Sequence, residues 1–397
     1  MRMLILSLLV TVAVLPLGSQ AVAGDVAALC DRFAASPNDR DLGAAGIPLG
    51  QVDGLKAKEA CEPALAADPT NARLAFQLGR TEEKLGNYER ARQLLEQASA
   101  GGYALADVEL GIFHEDALGG LEQDYAKAMQ SYLKASAAGY AVADNNIAVL
   151  YENGLGVSAD PAKALEWYRK AAAADYMSGV GNLAWLLEHN PDLSKDPSEM
   201  VEAYKRAAAA GIDYALTRLG VFYRDGLFGV EQDAGKAVAA FEAAAEKGDG
   251  WAELYLAQVL LSPYPGVANA VRAQDILQSL SDNDDAALRA EVLVTRAMAV
   301  LRNGGTRAEA RDLVRQAIEA DPDSAAVHAA RAEVLRRESD LHAADDALAE
   351  AIAVDPGFKP FYVARQSVLR ELGRDEEAAA LGKDMEHARY GAFFAGL

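Results

Sequence analysis

Near-copies of one phrase follow one another along this chain: VELGIFHEDALGG, NNIAVLYENGLGV, GNLAWLLEHNPDL and TRLGVFYRDGLFGV, then a worn version, LYLAQVLLSPYPGV. Their apolar anchors Leu110, Ile147, Leu183, Leu219 and Leu256 are spaced by 37, 36, 36 and 37 residues. A period of this size is the signature of stacked helical hairpins. One hairpin cannot bury its own apolar face, so each unit packs only on its neighbours and the array grows without a central core. Residues that recur at the period are therefore expected to serve packing. Function must be sought in what the packing leaves over.

The first residues read as a leader. Arg2 precedes an apolar run from Met3 to Val14, and Ala21-Val22-Ala23 supplies small residues for cleavage after Ala23. The run is too short for a membrane anchor, and no later stretch offers about 20 uncharged apolar residues, so no stable membrane insertion is expected after cleavage. Across the whole chain, 38 Lys and Arg face 59 Asp and Glu, a net charge of −21. Such a surface repels nucleic acid and favours solubility or basic partners. Two cysteines, Cys30 and Cys61, are an even count in a chain bound for an oxidising compartment, and a disulfide is expected. Closing their 31-residue separation is worth about 3–4 kcal/mol in the chain-entropy model.

Residues 24–70 form an N-terminal cap in this reading: a helix over Val26–Ala34, a break at Ser36-Pro37-Asn38-Asp39, and a helix over Leu55–Ala67 carrying Cys61. Residues 71–103 form a shorter hairpin, 104–281 hold the five longer units, and 286–397 return to a shorter period with a C-terminal cap. In the longer units an Asp opens the second helix: Asp124, Asp160, Asp196 and Asp233. Asp160-Pro161 and Asp196-Pro197 add proline at the first helical position. Eight residues on comes Tyr132, Tyr168, Tyr204 or Phe241, and three further comes Ala135, Ala171, Ala207 or Ala244. An aromatic and an alanine three apart share one helical face. Each hairpin thus presents the same bump and notch.

The units resemble Sel1-like repeats, whose pattern is an LG-x-x-Y helix, a G-x-GV loop, Asp, then KA-x-x-WY-x-KAA. The second unit carries it best, with Leu150-Tyr151, Gly154-Leu155-Gly156-Val157, Asp160, Lys163-Ala164, Trp167-Tyr168 and Lys170-Ala171-Ala172. The third departs, with Asn190-Pro191-Asp192 in place of the glycine loop. Leu78-Gly79, Ala91, Leu95 and Ala98 fall at tetratricopeptide-repeat positions, as do Ala310, Ala317, Ala344 and Ala351. The resemblance implies an all-α fold, an α-solenoid built as a right-handed superhelix of stacked hairpins, with Sel1-like repeats flanked by tetratricopeptide-like ones.

No catalytic motif emerges. Five histidines (His114, His189, His328, His342 and His387) lack a ligand spacing. There is no phosphate loop and no nucleophile elbow. No enzyme activity, cofactor or metal is expected. By the resemblance, the residue before each anchor faces a concave groove: Glu109, Asn146, Asn182, Arg218 and Tyr255, with Asn145 adding a second amide. Amides and a guanidinium there can hydrogen-bond a peptide backbone and hold a carboxylate. The reading is a secreted, periplasmic protein-interaction scaffold that binds a protein or peptide in this groove, its oligomeric state unspecified. The alternatives are a cell-envelope hydrolase or modifying enzyme on a helical scaffold, and a periplasmic regulator of a membrane sensor.

Overall fold

The computed structural model describes residues 17–384 apart from 40, 41, 43–45, 195 and 265. Most of the expected leader, His387 and the aromatic tail Tyr390–Phe394 lie outside the described residues. Among those described there are 20 α-helices and no strand, an all-α repeat fold. The chain divides into two compact units, Met1–Leu193 and Ser194–Leu397.

The first unit stacks hairpins α1/α2 (Leu17–Ala34, Gly54–Ala67), α3/α4 (Ala72–Lys84, Tyr88–Ala100), α5/α6 (Leu105–Glu115, Tyr125–Ala137) and α7/α8 (Ala141–Asn153, Pro161–Ala173), followed by α9 (Met177–His189). The second begins with α10 (Ser198–Ala209). It continues with α11/α12 (Asp213–Asp225, Ala234–Ala245), α13/α14 (Gly250–Leu261, Ala270–Ser279) and α15/α16 (Ala286–Arg302, Arg307–Ala320). It ends with α17/α18 (Ala325–Arg337, Leu341–Val354) and α19/α20 (Lys359–Glu371, Asp375–Asp384). Helix α1 begins nine residues before the expected Val26 and runs through Ala23.

Local chemistry sets these boundaries. Asp124, Asp160 and Asp233 each accept the backbone N–H three residues on, at 3.0, 3.0 and 2.9 Å, and each pairs with the side chain of the same lysine. Asp196 departs from the expectation. Helix α10 starts one residue late, with Pro197 in the capping position, and Asp196 instead accepts from Ser198 N at 2.9 Å. The worn fifth unit does have a cap, in Asn269, which accepts from Arg272 N at 3.1 Å. Gly154 and Gly226 close α7 and α11 in the left-handed region, at φ 69° and 68°, where a side chain is strained.

The recurring aromatics are the pegs of the stack. Tyr132, Tyr168, Tyr204 and Phe241 are buried, as are Ala135, Ala171, Ala207 and Ala244. Tyr132 fills the space a Cβ on Gly111 would take, and Phe241 does the same at Gly220. Polar ties reinforce the first unit. Ser99 of α4 and Lys134 of α6 both reach Asp107 of α5, at 2.6 and 2.9 Å. One repeat later Ser136 and Lys170 reach Asp144, at 2.5 and 2.8 Å. Each buried carboxylate thereby links three successive helices. Cys30 and Cys61 form the disulfide joining α1 to α2, buried with Ala34, Ala57 and Leu78.

A methyl group at Gly111 would stand 2.3 Å from the Tyr132 ring. Gly111→Ala is therefore expected to lower the unfolding free energy by about 1–3 kcal/mol through overpacking. Gly235 of α12 has only its own cap nearby, and Gly235→Ala should gain about 0.5–1 kcal/mol. Urea titrations of both variants check this. Equal effects would contradict the peg-and-notch packing.

Candidate functional site

Within each unit the candidate face is the one lined by the first helices of its hairpins. In the first unit it carries Glu109 on α5, Asn146 on α7 and Asn182 on α9, all half-buried. Asn145 is buried and ties the face together. Its Nδ2 donates to Asn146 Oδ1 at 3.2 Å, and its Oδ1 accepts from Asn182 Nδ2 at 2.9 Å. These three predicted residues thus form one amide ladder across α7 and α9. One turn beyond Asn182, Trp185 is 42% exposed and stacks on His189 with ring centroids 4.1 Å apart. Helical spacing puts Trp185 on the Asn182 face. That spacing was visible in the sequence, but the tryptophan there reads equally as packing.

Glu109 stands apart from the ladder, in a charged group with Arg80 and Glu83 of α3. Arg80 is buried, and that burial holds its guanidinium below the usual arginine range. Burial also raises the Glu109 carboxyl, against the pull of Arg80. Glu83 is pushed up to about 8, by burial first and then by the Glu109 carboxylate, with Arg80 opposing. Its Oε2 is buried without a hydrogen-bond partner. Nothing periodic marks Arg80 or Glu83, so sequence reasoning passed over both.

In the second unit the predicted residues are Arg218 on α11 and Tyr255 on α13. The Arg218 guanidinium lies 5.7 Å from the Phe222 ring centroid. Tyr255 packs on Phe241 at 5.6 Å, with the Arg224 guanidinium 5.3 Å from its own ring. Burial raises its phenol, with Arg224 opposing. Glu291 of α15, whose charge is felt at Tyr255, is pushed up to about 7 by burial and by Asp321. No group of three or more His, Cys, Asp or Glu able to hold a metal is found among the described residues.

The register of anchors, caps and buried aromatics is matched by the Sel1 repeat family over residues 104–140, 141–176 and 213–249. A tetratricopeptide-repeat family matches residues 50–102. The chain carries Sel1 and tetratricopeptide repeats. The Sel1 matches pass over residues 177–212, the unit whose loop has Asn190-Pro191-Asp192 instead of glycines. Repeats of both families generally mediate protein–protein interaction. Among solved structures, the chain is similar to a protective antigen present in uropathogenic Escherichia coli strains and displaying an SLR fold. That match is 20% identical with a TM-score of 0.62, over 90% of this chain and 74% of the other, and it shows the fold. The chain is also similar to a Sel1 repeat protein from Oxalobacter formigenes, at 28% identity and a TM-score of 0.51, over 61% of this chain and 96% of that one. No curated protein matches the chain. Asn146 lies in a matched Sel1 unit, one residue ahead of its buried anchor Ile147, and in the unit passed over Asn182 stands likewise one residue ahead of buried Leu183.

Glu83 supplies a pH test. Its folded value near 8 lies above the ordinary 4.5, so the folded state holds the proton more tightly. The resulting stability is fully present below the unfolded value and is lost as pH rises through 8. Thermal midpoints should therefore fall between pH 5.5 and 8.5, and fall less in Glu83→Gln. The same fall in both proteins would refute the assignment.

Proposed function

We propose that the protein is a secreted, periplasmic adaptor that binds a protein or peptide partner along the first-helix face and catalyses no reaction. The observation that carries this reading is the Asn146–Asn145–Asn182 ladder beside exposed Trp185. Aromatic and alanine side chains at the repeat positions are consumed in packing, while this strip offers amide donors and acceptors next to a large apolar ring. An extended peptide needs that pairing: hydrogen bonds for its backbone and an aromatic platform for a side chain. The expected leader and the Cys30–Cys61 disulfide support an oxidising compartment. The net charge of −21 supports a protein partner over nucleic acid.

Two measurements test the reading. Crosslinking in intact cells, followed by mass spectrometry, should capture a partner that purified protein then binds directly. Trp185→Ala with Asn182→Ala should weaken that binding at least tenfold, and Arg218→Glu supplies a second-unit comparison. Unchanged affinity in both variants would remove the face from consideration. N-terminal sequencing of the exported protein should begin at Gly24; an uncleaved Met1 would remove the compartment.

A further inference from the structure

The stretch of the first-helix face between α3 and α5 is acidic and short of hydrogen-bond donors. Glu83 stands in the last turn of α3, and Glu109 in the middle of α5, the next first helix of the stack. Glu83 lies within reach of the Glu109 charge and of Asp116, which caps the end of α5. The cation beside both glutamates is Arg80, and it does not pair with either. Its terminal nitrogens donate to Ala34 O at 2.7 Å and Ile47 O at 3.0 Å, and its Nε is buried without a partner. Arg80 thus lends the site charge but no hydrogen bond.

Two buried polar groups border Glu109 with nothing bonded to them. One is Glu83 Oε2. The other is the hydroxyl of Tyr132, a residue 0% exposed. The Glu109 charge acts on that hydroxyl, and Glu115 and Asn146 flank it without reaching hydrogen-bonding geometry. In the next repeat the matching hydroxyl, on Tyr168, is met: it donates to Glu152 Oε2 at 2.6 Å. Buried polar groups are rarely left unmet, because the hydration lost on folding is then not replaced. Unmet groups around a half-buried carboxyl, on a face that packing leaves over, point to a donor that arrives from outside.

The charges say what kind of donor. Glu83, Glu109 and Asp116 outnumber Arg80, so the missing group is positive. Among the described residues no group of His, Cys, Asp or Glu is able to hold a metal ion, so the cation is organic. The carboxyls are set back into the face, which calls for a charged end on a long aliphatic stem.

We infer that the α3–α5 stretch of the face receives a basic side chain, a lysine or arginine of the partner, whose charged end hydrogen-bonds to the Glu83 and Glu109 carboxylates beside the Tyr132 hydroxyl. Such bonds between ionised groups are the strong ones. The inference rests on the reading of this face as a binding surface and gives that partner's chemistry: a peptide segment bearing a basic residue. Burial raises both carboxyls in the free protein, and the ligand's charge replaces the proton that burial favours there.

The test selects a phage-displayed library of random dodecapeptides on the full chain and measures the synthesised peptides by fluorescence anisotropy. The selected peptides should share a lysine or arginine. Norleucine in its place keeps the stem, removes the charge and should weaken binding at least tenfold. Glu83→Gln with Glu109→Gln should weaken the parent peptide as much, and norleucine should then change affinity less than twofold. Glu166→Gln removes a charge from an exposed position on α8 and should leave the norleucine effect intact, which separates local pairing from general attraction to an acidic surface. Circular dichroism checks the fold, and Glu109→Gln alone serves if the double variant does not fold. Selected peptides with no shared basic residue overturn the inference, as does a norleucine effect that survives undiminished in the glutamine variants. If those peptides still lose affinity in Trp185→Ala with Asn182→Ala, the adaptor reading stands and only this inference falls. A library that yields no binder counts against both.

Discussion

The longer repeats rest on one steric fit: a ring on the second helix, Tyr132 or Phe241, seated where the first helix has only glycine. At Gly111 and Gly220 the space is filled by the rings of Tyr132 and Phe241. The fit sets how close the two helices of a hairpin lie, and the alanine three residues later does the same on the next side. Because the contact recurs at each period, it propagates without a central core. It also settles which surface is surplus. Side chains committed to the stack are buried, whereas the turn of α9 carrying Asn182 and Trp185 is not fully used.

Tyrosine brings a hydroxyl into that buried position, and at Tyr168 a carboxylate accepts from it. Tyr168 donates to Glu152 Oε2 at 2.6 Å, and the Glu115 carboxyl lies beside Tyr132, where it opposes ionisation of the phenol. The unit with Phe241 has no hydroxyl to satisfy, and Arg224 stands where the other units place glutamate.

Much of the fold was legible because it is periodic. The anchors, the aspartate caps of α6, α8 and α12, the aromatic pegs and the small residues beside them all repeat at 36 or 37 residues. Periodic signals could even have exposed the Ser99–Asp107–Lys134 tie, since Ser136, Asp144 and Lys170 recur at the same spacing. Contacts that occur once were not legible. Asp39 and Tyr103 are 64 residues apart, with no pattern joining them. The raised carboxyls of Glu83 and Glu291 depend on burial, which a lone glutamate in a helix does not announce. The candidate face stood between these cases. Its register was readable, but the burial of Asn145 beneath Asn146 and Asn182 required the helices to be packed.

On the proposed adaptor reading, stacking and recognition use different side chains of one repeat stack. Unfolding free energies of Tyr168→Ala and Trp185→Ala, measured side by side in urea, test it most directly. Loss of the buried ring should cost about 3–5 kcal/mol, while loss of the exposed one should stay within about 1 kcal/mol. Comparable losses would mean that Trp185 belongs to the packing, and that this face holds nothing in reserve for a partner.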